Sequence, residues 1–171
     1  MIKMKQLIFS AIVMTFVGCQ QNKIAFVDNV KLMDEYQEKL DMESKFKIKA
    51  ETLNKRRDSI SQAFQLEAQT FQTKADKMPA DQAQQEYGML QQRGQLIGQQ
   101  LQQQEQQLQA SSQTEMDSII STVKKEIKAF GKDKGYTFIL GGGEGGSVLY
   151  GQEGKNVTKE VLTILNDKYK K

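Results

Sequence analysis

From Lys39 to Phe130 the chain is charged and glutamine-rich, yet apolar residues return through it at spacings of three and four. Before a single interruption they are Phe46, Ala50, Leu53, Ile60, Phe64, Phe71 and Met78. After it they are Leu90, Ile97, Leu101, Leu108, Met116, Ile120, Val123, Ile127 and Phe130. This is the period of amphipathic helices with a narrow apolar seam, as in a coiled coil. The interruption is Met78-Pro79-Ala80. Pro79, the chain's only proline, lacks an N–H and disfavours helix at the residue before it, and Asp81 just beyond suits a helix start. The pattern predicts two long antiparallel helices over 39–130, joined by a tight turn near 78–81. At 1.5 Å per residue such an arm reaches roughly 55–75 Å.

The flanking sequence has a different texture. Ile24-Ala25-Phe26-Val27 is a short β-prone run closed by Asp28-Asn29, and Val30 to Tyr36 reads as a short helix. After the arm, Gly131 and Gly135 end the helix, and Tyr136-Thr137-Phe138-Ile139-Leu140 is the strongest strand signal in the chain. A glycine-rich stretch, 141–146, leads to a third β-prone run, Val148-Leu149-Tyr150. A last helix begins near Thr158, read as its cap, and buries Val161, Leu162 and Leu165. An antiparallel hairpin brings its two ends together. Residues 23–38 and 131–171 can therefore close into one small α+β body with a three-stranded sheet. Such a body is marginal alone and leaves open strand edges. Its strand residues Ile24, Phe26, Phe138, Leu140, Val148 and Tyr150 are the expected body core and oligomerisation contacts.

The two long helices differ in chemistry. The outgoing one offers acid–base pairs at i,i+4, Glu43–Lys47 and Glu51–Lys55, each worth a few tenths of a kcal/mol. From Gln82 to Gln113 the returning one is nearly half glutamine, with glycines at 88, 94 and 98. Each glycine costs about 1 kcal/mol relative to alanine inside a helix. Gly94 and Gly98 have the spacing of a close-packing motif, but local looseness is the reading adopted.

The chain opens with Lys3 and Lys5, an apolar run from Leu7 to Val17, then Gly18 and Cys19. A positive start, a short apolar stretch and a small residue before the cut describe a secretory leader over 1–18, too short for a spanning helix. Phe16-Val17-Gly18-Cys19 resembles a bacterial lipobox, which implies lipid attachment at Cys19, the only cysteine, and a linker over 19–22. Gln20 behind it implies sorting to the outer membrane, with the protein facing the periplasm of a Gram-negative bacterium.

Loss of Lys3 and Lys5 with the leader takes the formal charge from +3 to about +1, which gives no electrostatic basis for nucleic acid. Histidine is absent, and with it the usual general base and the commonest metal ligand. The carboxylates interleave with Lys and Arg as a solvated face. The glycine-rich loop has no Gly-Lys-Ser/Thr and no helix opening directly behind it, so it reads as a connection rather than a phosphate cradle. No enzyme, cofactor or metal is expected.

Lys23-Ile24-Ala25-Phe26-Val27-Asp28, Leu32 and Tyr36, a long helical hairpin, Tyr-Thr-Phe-Ile-Leu at 136–140, Val-Leu-Tyr at 148–150 and Asn156-Val157-Thr158 with Val161, Leu162 and Leu165 behind it resemble, in order and spacing, the Skp (OmpH) family of periplasmic chaperones. The resemblance spans 23–170. It implies a homotrimer whose β body carries three helical arms around a cavity that holds unfolded outer-membrane proteins without ATP. Candidate client contacts on the arm are Met42, Phe64, Phe71, Met78 and Met89, the two phenylalanines fitting the hairpin's own seam first. Where the best-known member is strongly basic and soluble, this chain is nearly neutral and carries a lipobox-like leader. Asn156 stands where family members often have Asp. A rival reading is structural. A lipid-anchored helical rod ending in Tyr169-Lys170-Lys171 also resembles the murein lipoprotein, a tether of the envelope that has no need of the β runs.

Overall fold

A computed structural model describes residues 22–144 and 146–170. The leader and Cys19 lie outside the described residues. The chain order is strand β1 (Ile24–Asp28), helix α1 (Asn29–Glu35), helix α2 (Gln37–Ala75), helix α3 (Ala80–Asp133) and strand β2 (Phe138–Gly142). A short 3-10 turn (Glu153–Lys155) and helix α4 (Thr158–Tyr169) follow. The result is mostly helical: a long hairpin on a small sheet-and-helix body.

The hairpin follows from the seam. At 1.5 Å per residue the 39 residues of α2 and the 54 of α3 span about 58 and 81 Å. The turn between them closes on two short bonds, Lys77 N to Lys74 O and Met78 N to Ala75 O, and Pro79 stands as the N-cap of α3. Near the body the seam is closed: Met42, Phe46, Ile119 and Val123 are buried. The expected Ile120 is instead exposed, because 116, 119, 123, 127 and 130 keep the three–four step and 120 falls off it. Further out, every seam residue is only half-buried.

β1 and β2 are parallel, from Ile24 opposite Phe138 to Asp28 opposite Gly142. The whole arm is their crossover. Ala25 and Val27 face inward, joining Leu32, Tyr36, Phe130, Val157, Val161 and Leu165 in one core. The strand residues expected in that core take the opposite side. Ile24, Phe138 and Leu140 are exposed, Phe26 is half-buried, and the core of the single chain is built without them. The third strand is also corrected. Val148 makes one bridge to Gly142, its N–H donating to Gly141 O at 3.1 Å, while Leu149 and Tyr150 stand in solvent. The glycine loop turns back too sharply to extend the ladder: Gly146 N donates to Gly143 O, and Gly143 sits at φ +81° with Asp28 against it.

Side-chain hydrogen bonds tie the body together. Asp28 caps α1 by accepting from Lys31 N at 3.0 Å, and its own N–H donates to the buried Thr158 hydroxyl at 2.9 Å. The side-chain oxygen of Asn156, rather than Thr158, serves the start of α4, accepting from Thr158 N at 3.1 Å and from its hydroxyl at 2.5 Å. The start of α2 has no cap of its own, so Asn166 on α4 supplies one, accepting from Gln37 N at 2.9 Å. Tyr36, at the break between α1 and α2, is fully buried and donates to the Glu38 carboxylate. Burial first, and then that carboxylate, hold its phenol well above the ordinary tyrosine range.

Candidate functional site: the arm and the outer face of the sheet

The expected pairs Glu43–Lys47 and Glu51–Lys55 do not form. Lys39 takes Glu43, and three pairs reach across the hairpin, Lys45 to Glu115 (2.7 Å), Arg57 to Glu105 (3.3 Å) and Arg93 to Glu67 (2.6 Å). These pairs mark one register along the whole arm, although each is exposed enough to add little stability. They also consume the charge. Between Gln82 and Gln113 the only ionised residues are Glu86, Arg93 and Glu105, and two of the three are paired. The outer arm is a nearly neutral glutamine surface.

Set in that surface are apolar side chains that the seam does not use. Leu66 is 65 % exposed, Met89 59 % and Leu96 58 %, with Ile48 and Tyr87 similarly open. Near the tip, Leu66, Phe71, Met89 and Leu90 line an open groove of about 760 Å³, bordered by Lys74 and Glu86. Nearer the body the seam thins at Leu53 and Leu108, which contribute to grooves of about 410 and 450 Å³. The second of these includes Gln104, whose side-chain oxygen is buried without a partner. Such an atom costs free energy until something donates to it.

Of the five expected contact residues, Met42 is 4 % exposed and belongs to the core. It is unavailable to a partner because the seam closes around it at the arm's root. Phe64 and Phe71 are half-buried in the seam, Phe64 against Gly94 and Phe71 stacked on Tyr87 at 6.1 Å. Met78 is half-buried at the turn, and Met89 is open. Leu66, Leu96 and Ile48, which stand as open as Met89, are not among the residues singled out from the sequence. Their signal was present in the sequence: apolar residues one or two places off the seam in an otherwise polar helix.

The sheet supplies a second feature. Ile24, Phe138 (56 % exposed) and Leu140 form an apolar outer face, and beyond the sheet Leu149, wholly exposed, and Tyr150 also stand in solvent. Among the described residues no set of three His, Cys, Asp or Glu side chains could hold a metal ion, and no helix is long and apolar enough to cross a membrane.

Residues 23–165 match the family model described as outer membrane protein (OmpH-like). A solved structure from Caulobacter crescentus CB15, described as OmpH-like and as a candidate outer membrane chaperone, superposes with a TM-score of 0.77. The alignment covers 88 % of each chain at 14 % identity. At that identity the likeness establishes the fold alone. No curated protein sequence matches the chain.

Proposed function

The chain belongs to the OmpH-like outer membrane protein family, and from that membership we propose that it is an ATP-independent holdase for unfolded outer-membrane proteins. It works in the periplasm as a homotrimer held to the membrane by a lipid on Cys19. The observation that carries the reading is the surplus of apolar side chains on the outer arm. Leu66, Met89 and Leu96 are not needed by the hairpin and stand on a neutral glutamine surface.

Full burial of such a side chain is worth about 1.5–3 kcal/mol, so a half-covered one gives roughly 1 kcal/mol. No single contact of that size traps a conformation. Several arms around one client multiply them through a high effective concentration, and a non-native chain is held while remaining free to rearrange. The lack of net charge on the arm makes the grip apolar and tolerant of salt.

Assembly follows from the outer sheet face. An apolar surface with a wholly exposed leucine on a body this small calls for a partner, and a second and third copy of the same face supply it. The experiment is dilution of a urea-denatured β-barrel protein with and without the purified chain. Aggregation should be suppressed without nucleotide, saturating near one trimer per client, and deletion of residues 50–112 should abolish the effect. No protection by the folded chain at severalfold excess would refute the reading.

A further inference from the structure

On the flank of the body, where α3 ends beside β2, lies a groove that neither the arm nor the outer sheet face uses. Its volume is about 370 Å³, with Ile127, Tyr136 and Ile139 in its lining and Lys124, Lys128 and Lys132 along α3. All three lysines are exposed. The nearby carboxylates are already engaged, Asp133 by Lys134 at 3.4 Å and Glu126 by Lys168 at 2.5 Å. Like charges at i,i+4 oppose the helix that carries them. The helix dipole compensates only in the last turn, which includes Lys132 but not Lys124 or Lys128. Stability therefore does not account for the stripe.

A second observation comes from where the chain enters the fold. Lys23 lies at this same place, its ammonium 4.3 Å from the centre of the Tyr136 ring and donating to Lys134 O at 2.8 Å. Cys19 is four residues earlier, and four extended residues span at most about 14 Å. Whatever holds residue 19 is thus close to the groove.

We propose that this groove is a docking site for the anionic headgroups of the bilayer in which the chain is anchored. Lipid phosphates sit on Lys124, Lys128 and Lys132, and the glycerol region lies against Ile127, Tyr136 and Ile139. The proposal rests on the anchored reading of Cys19 and is independent of client holding. It gives the body a second point of attachment, so that the lipid does not act as a swivel.

For the test, the full purified chain is reconstituted into phosphatidylcholine vesicles with and without phosphatidylglycerol and given a brief pulse of an amine-acetylating reagent. Labelling of Lys124, Lys128 and Lys132, read by mass spectrometry, should be severalfold slower in the anionic vesicles, and high salt should restore it. Lys74 and Lys77 at the arm's tip should label equally in both. Equal labelling of the stripe in the two vesicles overturns the proposal. In a companion measurement, a Cys19→Ser chain is compared with the same chain carrying Lys124→Gln, Lys128→Gln and Lys132→Gln. Partitioning to anionic vesicles should fall by about a hundredfold, with circular dichroism and aggregation suppression retained. A folded triple variant that partitions like its parent, or a parent that ignores anionic vesicles, sinks the docking site and leaves the chaperone reading untouched.

Discussion

The three glycines of α3 give a sharp test of how the arm is packed. An alanine at an exposed helical position is worth about 1 kcal/mol over glycine. A methyl at Gly88 or Gly98 meets nothing within 4 Å. Gly88→Ala and Gly98→Ala should each therefore stabilise the chain by about 1 kcal/mol, or roughly 2–4 °C in Tm. Gly94 is different, since a Cβ there would stand 2.9 Å from Cζ of Phe64 and 3.3 Å from Cε1. The ring must shift in a seam it helps to fill, and overpacking of this kind costs about 1–3 kcal/mol. The same helix gain is thereby offset or reversed, so Gly94→Ala should be neutral or destabilising by up to about 2 kcal/mol. In a Phe64→Ala background the clash is gone, and Gly94→Ala should recover its gain of about 1 kcal/mol. Denaturation followed by circular dichroism at fixed protein concentration, with hydrogen exchange over residues 85–105, reads both. If Gly94→Ala stabilises the wild-type arm as much as its two neighbours do, the packing argument is wrong.

Other predictions follow from the body. Asn166→Ala removes the acceptor for Gln37 N and should cost about 1 kcal/mol; an unchanged denaturation midpoint would show that the start of α2 finds another partner. Phe138→Asp alters an exposed residue of the single chain, so it should leave circular dichroism intact while shifting light scattering from trimer to monomer. A wild-type monomer at micromolar concentration would remove the basis of that claim. Tyr36 binds its proton more tightly folded than unfolded. Its contribution is full below the ordinary tyrosine value of about 10 and declines as pH rises above it. Tyr36→Phe should flatten that alkaline loss, and a loss equally steep in the variant would assign it elsewhere.

The arm was legible because a seam at three–four spacing survives any surface composition, and Pro79 marks its turn without ambiguity. The strand positions were legible too, but not their facing. Ile24-Ala25-Phe26-Val27 is apolar at every place, so alternation gives no contrast, and the helices behind the sheet decide that small Ala25 and Val27 turn inward. Size favoured the wrong pair. Val148-Leu149-Tyr150 has strand composition, yet one chain offers it a single bridge, since a strand requires an edge as well as a propensity. Gly94 looked like a loose point because glycine's helix cost is local, whereas its use depends on Phe64, thirty residues away in sequence. The cap on α2 was invisible for the same reason, being supplied by Asn166 from another helix.

The central claim is that clients are held by the apolar side chains standing off the arm's seam. A photo-activatable amino acid placed in cells at Leu66, Met89 or Leu96, and for comparison at the exposed polar Lys159 of the body, tests it most directly. Irradiation and mass spectrometry of the adducts should give unfolded outer-membrane barrel chains from the three arm positions and few from the body. Barrel adducts equal in yield from Lys159, or muropeptides in place of barrel chains at every arm position, would contradict it.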